Sequence, residues 1–379
     1  MMGRVVVVGA GYAGLAAVRG LARLAPKGTT VTMVNERPEF VERVRLHQFA
    51  AGQDIRWLPL TRLVDARTRI RVGRVVAIDV DRQHLYLDVA PFRLDFDILV
   101  VAVGSGPSSS EVPGMDSIAH AVARPDDAEQ LRTALDRLPR GASVTVVGGG
   151  LTGIELAAEV AESRSHLDVR LMTSGSLGHW LSPRARTHLR AAVKKVGVSV
   201  YDHTSVTRAE SGALHTATGR RIASDLTAWA GGFAVPALAA EAGLAVDRAG
   251  RVLIDDQLRS VSHPNIFAVG DAAASTLGGG ALRMCCQTAL PMGAVAARII
   301  AADLRGRRVV APPSRYLWTN ISIGRHDAVT QFTRPDDSPL PVVLTGTAAA
   351  KFKELITRST VLVLGGGIRS LATGLPGAA

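Results

Sequence analysis

Val5-Val6-Val7-Val8-Gly9-Ala10-Gly11-Tyr12-Ala13-Gly14 is an apolar β-run that breaks into a GxGxxG turn and opens a small-residue helix. The pattern returns at Val144-Thr145-Val146-Val147-Gly148-Gly149-Gly150-Leu151-Thr152-Gly153, offset by 139 residues from Gly9 to Gly148. In such a turn the first glycine permits the bend off the strand. The second removes the Cβ that would hold a pyrophosphate away, and the third lets the helix pack closely on the sheet. The helix N-terminus then offers free N–H groups and partial positive charge to phosphates. Two copies in matching contexts imply two dinucleotide pockets, the arrangement of a protein that passes electrons between them.

Outward from the first turn, residues 4–9 read as a strand, 13–24 as a helix, and Val31 to Asn35 as a second strand ending at Glu36. An acid about 20 residues past the glycines is placed to accept hydrogen bonds from a ribose hydroxyl pair. The stretch Arg37 to Arg71 is polar and Arg-rich; its Arg43, Arg45 and His47 either reach over the bound cofactor or belong to a solvated basic loop. Strands are predicted over 72–79 and 84–89, then a buried one from Asp97 to a glycine turn at Gly104. Ser105 to Gly114 reads as a linker.

From 118 to about 250 the plan repeats, with a helix over Asp126–Leu138, a strand Val169–Met172, a basic helix Arg184–Lys195 and a buried segment ending at Ala228–Gly232. The chain after Met172 is Thr173-Ser174-Gly175, where an enzyme selective for NADH carries an acid. Hydroxyls there, with Arg170 or Arg184 nearby, suit a 2′-phosphate, so NADPH is expected to serve at least as well as NADH. A short strand then ends at Gly270-Asp271, and a long helix spans Thr288–Leu304, with Pro291 marking a kink or a helix start. Residues 312–379 form a smaller tail with strand-like runs.

The chain's 379 residues make two or three domains the prior. Hydrophobic content of 47% with 20% charged residues is that of a soluble globular protein. The only cysteines, Cys285 and Cys286, are adjacent, which excludes a disulfide framework, a CxxC redox pair and a metal-ligand spacing. The first strand starts within a few residues of the N-terminus and no apolar run approaches the roughly 20 residues of a membrane span, so a cytoplasmic enzyme is expected. The net charge of +11 suits anionic cofactors, an anionic membrane surface or an acidic partner protein. Aromatics make up only 4% and do not interleave with a basic cluster, which argues against nucleic-acid binding.

Three markers in order are the first GxGxxG with Glu36, the Asp97…Ala102-x-Gly104 strand, and Ile266-Phe267-Ala268-x-Gly270-Asp271. On these the chain resembles the two-dinucleotide-binding-domain flavoproteins over about residues 1–310. Within that group it looks most like the type II NADH dehydrogenases and their apoptosis-inducing-factor-like relatives. The stretches behind this are Val34-Asn35-Glu36, Leu46-His47-Gln48 with Ala51-Gly52, Gly153-Ile154-Glu155, Gln287-Thr288-Ala289 and a tail from Ser322-Ile323-Gly324.

The resemblance implies an α/β fold of two Rossmann-like domains plus a small α+β C-terminal region. FAD would occupy residues 1–115 with 255–310, NAD(P)H 116–254, and the C-terminal region would be 311–379. It implies FAD contacts at Gly9, Gly11, Tyr12, Ala13, Gly14, Asn35, Glu36, Arg43, Ala102, Gly104, Gly270 and Asp271. NAD(P)H contacts would fall at Gly148, Gly150, Leu151, Thr152, Gly153, Thr173 and Ser174. Glu155, in the first turn of the second helix, would orient the nicotinamide or relay a proton, and Gln287 would line the acceptor side.

Two departures bear on the acceptor. Pro291 stands where the family's AQxAxQ quinone motif has its second glutamine, and the membrane-docking helices are reduced to the basic-apolar run Lys351–Leu364, which suits a core or a surface anchor. Three acceptors stay open: a quinone or similar small molecule at the inner face of a membrane, an organic metabolite in a soluble biosynthetic enzyme, or an acidic ferredoxin- or rubredoxin-type protein. Sulfide:quinone oxidoreductases share the frame but use separated active cysteines.

Overall fold

Apolar strands alternating with small-residue helices build two parallel sheets, and the computed structural model describes residues 3–274, 282–310 and 316–365. The first half runs β1 (Arg4–Val8), α1 (Tyr12–Leu24), β2 (Thr30–Asn35), α2 (Leu46–Ala50), β3 (Arg69–Val72) and β4 (Ile98–Val101). The second runs α3 (Pro125–Asp136), β5 (Ser143–Val147), α4 (Leu151–Ser163), β6 (Asp168–Met172), α5 (Pro183–Lys195), β7 (Ser199–Tyr201) and β8 (Leu226–Trp229). The chain then returns through β9 (Ile266–Ala268) and α6 (Cys286–Asp303).

The sheet orders are β9-β4-β1-β2-β3 and β7-β6-β5-β8, every pair parallel. The halves therefore repeat in strand order as well as in sequence. Each also inserts a three-stranded antiparallel meander before its fourth strand, at 75–95 and at 206–223. Val5 to Val8 are all buried, as strands covered on both faces require.

Ser105–Gly114 is more than a linker. Gly106-Pro107 pairs antiparallel with the returning Phe233-Ala234, so the two crossings between halves are hydrogen-bonded to each other. Val235, Ala239, Leu244 and Val252 pack in the first half's core, so the return crossing lies ahead of residue 255. The Arg-rich stretch holds short elements, α2 among them, and buries His47 and Gln48. Pro291 sits inside α6, where its missing N–H frees the Gln287 carbonyl.

The C-terminal region adds an antiparallel sheet, β10 (Trp318–Ile323), β11 (Asp327–Thr333) and β12 (Pro339–Thr345), followed by α7 (Gly346–Gly365). Parts of the tail expected over 311–379, namely 311–315 and 366–379, lie outside the described residues. The Lys351–Leu364 run belongs to α7 and faces both ways: Thr360 and Leu364 are buried, Leu355 and Val363 exposed. Among the described residues no helix is long and apolar enough to cross a membrane.

Candidate active site

Helices α1 and α6 cross closely because small residues meet: a Cβ on Gly293 would overlap the Ala13 carbonyl, and one on Gly20 the Ala297 methyl. Both helix N-termini open onto one cavity of about 650 Å³, lined by Gly9–Ala13 at one and Cys285–Gln287 at the other. The two glycine turns have matching geometry. Gly9 and Gly148 adopt left-handed φ values of +104° and +128°, which favour glycine. A Cβ on Gly14 or Gly153 would overlap the carbonyl of Gly9 or Gly148, so the third glycine permits the close packing expected of it. A Cβ on Gly11 or Gly150 would meet nothing within 4 Å, which leaves each turn an open cradle of the kind a pyrophosphate fills.

Of the residues expected to hold FAD, Gly9, Gly11, Tyr12, Ala13, Asn35, Glu36, Arg43, Ala102, Gly104, Gly270 and Asp271 line this cavity, while Gly14 lies behind it. Glu36 is exposed at the end of β2. Asn35 lines the wall but buttresses the turn: its Oδ1 accepts the Ala10 N–H at 2.9 Å and its Nδ2 donates to the Arg37 carbonyl at 2.8 Å. Arg43 Nη1 donates to Ser105 Oγ at 2.9 Å and to Asp271 Oδ2 at 3.0 Å, with its guanidinium over the Phe233 ring. Ser105 Oγ donates to the same Asp271 oxygen at 2.7 Å. These residues fit an FAD whose ribose lies at Glu36 and whose pyrophosphate lies on the first turn.

The second turn contributes Leu151, Thr152 and Glu155 to the same cavity; Gly148, Gly150, Gly153, Thr173 and Ser174 lie off it. Thr173 packs its Oγ1 against Gly149, in the space a Cβ there would need. Arg170 is held by Asp168 and by the Ala223 carbonyl at 2.7 Å, away from the C-terminal end of β6.

Glu155 is the centre of a buried ionic cluster. Its Oε1 accepts the Lys353 ammonium and the Ser322 N–H at 3.0 Å, and its Oε2 lies 3.7 Å from His47 Nδ1. Lys353 Nζ also donates to Ser322 Oγ at 3.2 Å. Burial pushes the Glu155 carboxyl up, but the Lys353 ammonium and the Ser322 N–H together hold it below its ordinary value. Burial drives the His47 imidazole down to about 3, so the ring is neutral at physiological pH, and its Nε2 has no partner among the described residues. One turn further along α4, Glu159 pairs with Arg325 and Gln53, and Glu162 accepts the Arg325 N–H at 2.7 Å. These pairs fasten the C-terminal sheet to α4 and carry α7 to the cavity wall.

At the α6 end, Arg283 binds the Trp318 carbonyl, Thr319 Oγ1 and, at 3.4 Å, Gln287 Oε1. The Gln287 amide is thus oriented with its Nε2 as the free end, buried and without a partner among the described residues. Cys285 and Cys286 line the same wall as free thiols, and burial raises the Cys286 thiol to about 11. Lys353, Arg283 and Ser105 were not among the residues expected from the sequence. Ser105, next to the Gly104 turn, is the one whose position was open to a sequence reading.

The family model for pyridine nucleotide-disulphide oxidoreductases matches residues 3–298. The chain is 30% identical over 358 residues to an NADH dehydrogenase-like protein of Mycobacterium tuberculosis, covering 86% of this chain and 87% of that one. It is 27% identical over 375 residues to a demethylphylloquinone reductase of Synechocystis, covering 93% and 91%. Among solved structures, NDH2 of Plasmodium falciparum in complex with NADH superposes with a TM-score of 0.80 at 15% identity, covering 96% of this chain and 98% of that one. That last likeness is one of fold.

Proposed function

The chain belongs to the pyridine nucleotide-disulphide oxidoreductase family, and from that premise we propose that it delivers electrons from NAD(P)H to a quinone or a similar small carbonyl acceptor. It is an oxidoreductase that uses FAD and NAD(P)H; the acceptor and the residue roles are the proposal. When bound, FAD supplies the chemistry, taking a hydride equivalent from the nicotinamide and releasing two electrons to the second substrate.

The chain's own residues bind, orient and exclude water. The first glycine turn and the α1 N-terminus hold the pyrophosphate, and Glu36 accepts from the ribose hydroxyls. Arg43 and Ser105 fix the Asp271 carboxylate at the cavity wall. The N-terminus of α6 adds partial positive charge where negative charge develops. Glu155, kept ionised by Lys353, presents Oε2 as an acceptor for a carboxamide N–H or for a proton. Gln287, turned by Arg283, aims its Nε2–H at a carbonyl oxygen of the acceptor.

The observation that carries this reading is one cavity that brings together the first turn, Glu155 and a Gln287 Nε2 without a partner among the described residues. Similarity to a demethylphylloquinone reductase supports the choice of acceptor. The test is anaerobic reduction of the purified flavoprotein with NAD(P)H, followed by a short-chain quinone, ferricyanide, oxygen or an acidic iron–sulfur protein. Reoxidation by the quinone within one turnover time supports the proposal. Reoxidation by the iron–sulfur protein alone would replace it.

A further inference from the structure

We propose that Asn320 is a second amide of the acceptor site, and that its Oδ1 receives the hydroxyl hydrogen the acceptor gains on reduction. The inference rests on the reading of that acceptor as a quinone or similar carbonyl compound.

Asn320 is the third residue of β10, the edge strand of the C-terminal sheet, which pairs with β11. Side chains alternate along a strand, so Trp318, Asn320 and Ser322 share one face. Its two neighbours on that face are engaged by α7. The Trp318 ring meets Phe352 edge-on with centroids 5.6 Å apart, and Ser322 Oγ accepts from Lys353 Nζ at 3.2 Å. The flanking polar atoms are engaged as well: the Trp318 carbonyl and Thr319 Oγ1 accept from the Arg283 guanidinium at 3.3 and 2.6 Å, and the Ser322 N–H donates to Glu155. Asn320 therefore lies on the strand between the residues that hold Arg283 and those that hold Lys353 and Glu155. It lines the same cavity, and its Oδ1 is buried without a partner among the described residues. Asparagine is poorly suited to a strand, and a buried amide oxygen without a hydrogen bond costs stability. On a cavity wall such an atom is a place for a donor on a ligand.

The amides of Gln287 and Asn320 leave opposite kinds of atom unpaired. Arg283 occupies Gln287 Oε1, so Gln287 has a donor to offer, Nε2. Asn320 has an acceptor to offer, Oδ1. A carbonyl oxygen carries only lone pairs and satisfies the donor alone. Reduction changes this. Two electrons from the reduced flavin and two protons, from the flavin and from solvent, turn the two C=O groups of a quinone into two C–O–H groups. The product keeps oxygen lone pairs for Gln287 and now has an O–H for Asn320. Asn320 thus favours the reduced form of the acceptor over the oxidised one, whereas Gln287 serves both.

The experiment titrates the oxidised, FAD-loaded protein calorimetrically, without oxygen, with a short-chain hydroquinone and with its O,O-dimethyl ether, which has the same ring but no O–H. We expect the wild type to bind the hydroquinone about tenfold tighter, the scale of one hydrogen bond. N320L should abolish that preference and leave the flavin absorbance and midpoint potential unchanged. Q287L should weaken both ligands and keep the preference. Equal affinity of the two ligands for the wild type overturns the inference even if quinone reoxidises the flavin, as does a preference that survives in N320L. A shifted flavin potential in N320L with the preference intact assigns Asn320 to the flavin instead, and likewise overturns it. Binding of neither ligand, with no reoxidation of the wild type by quinone, removes the acceptor reading as well.

Discussion

Replacing Lys353 with methionine tests the ionic cluster at the cavity. The change removes the ammonium on Glu155 Oε1 and leaves that carboxylate with the Ser322 N–H at 3.0 Å. Both side chains are mostly buried, at 15% and 11% exposure. Two unit charges about 4 Å apart at an effective dielectric near 20 interact by roughly 4 kcal/mol. Breaking a buried pair from one side costs about 3–5 kcal/mol. The residual exposure places the expected loss near the lower end, about 3 kcal/mol. With an unfolding entropy of roughly 2.1 cal/mol/K per residue, that lowers Tm by roughly 4 °C.

The pH dependence has a definite sign. In the wild type Glu155 lies below its ordinary 4.5, so its contribution is complete above that pH and is lost as pH falls through the depressed value. In K353M burial dominates and the carboxyl rises above 4.5. The penalty is then full at neutral pH and fades as Glu155 protonates, so the gap between variant and wild type closes from pH 7 towards 4.5. The E155Q/K353M double variant should be more stable than either single one, since it buries no unpaired charge. Thermal unfolding followed by circular dichroism on all four proteins reads this directly. A K353M Tm equal to wild type at pH 7, or a gap that widens on acidification, would refute the reasoning.

Other substitutions separate the functions of the site. A Cβ at position 11 meets no protein atom within 4 Å, so G11V should fold yet fill the open cradle of the first turn, purify colourless and fail to take up FAD. G150V should stay yellow yet resist bleaching by NADH and NADPH, and identical absorbance behaviour of the two variants would break the assignment of one turn to each cofactor. Q287L should leave flavin reduction by NAD(P)H intact and slow reoxidation by quinone about tenfold, the worth of one hydrogen bond; stopped-flow traces of the two half-reactions distinguish the steps. The Cys286 thiol, raised to about 11 from 9.0, carries about 100-fold less thiolate at pH 8 than an ordinary thiol. Its alkylation by iodoacetamide, read by peptide mass spectrometry, should lag an unfolded control by at least that factor.

Much of the fold was legible because it is local. A left-handed Gly9, a Cβ-free Gly11 and a run of four valines are decided by a residue and its immediate neighbours, and they announce strand, turn and helix in order. The same holds for Gly148 to Gly153, and hence for the repeat and the two cofactors. Helix α6 was visible as a run of small residues, although its start at Cys286 rather than Thr288 was not, because Pro291 reads locally as a boundary and is tolerated inside the helix.

What each polar side chain touches was decided only by the tertiary fold. Glu155 meets Lys353 across 198 residues, and Arg43 meets Asp271 across 228. No periodicity or spacing encodes such pairs, because they depend on how the C-terminal sheet lies over α4 and how the two halves close on each other. Asn35 and Thr173 make the same point at short range: their types suited a nucleotide, but strand register turns both onto the glycine loops and leaves Glu36 and Ser174 to face outward. Sequence alone determined which backbone shapes form, since those follow from the sterics of neighbouring residues. The three-dimensional packing determined which charges are paired, since burial and partnership exist only once distant segments meet.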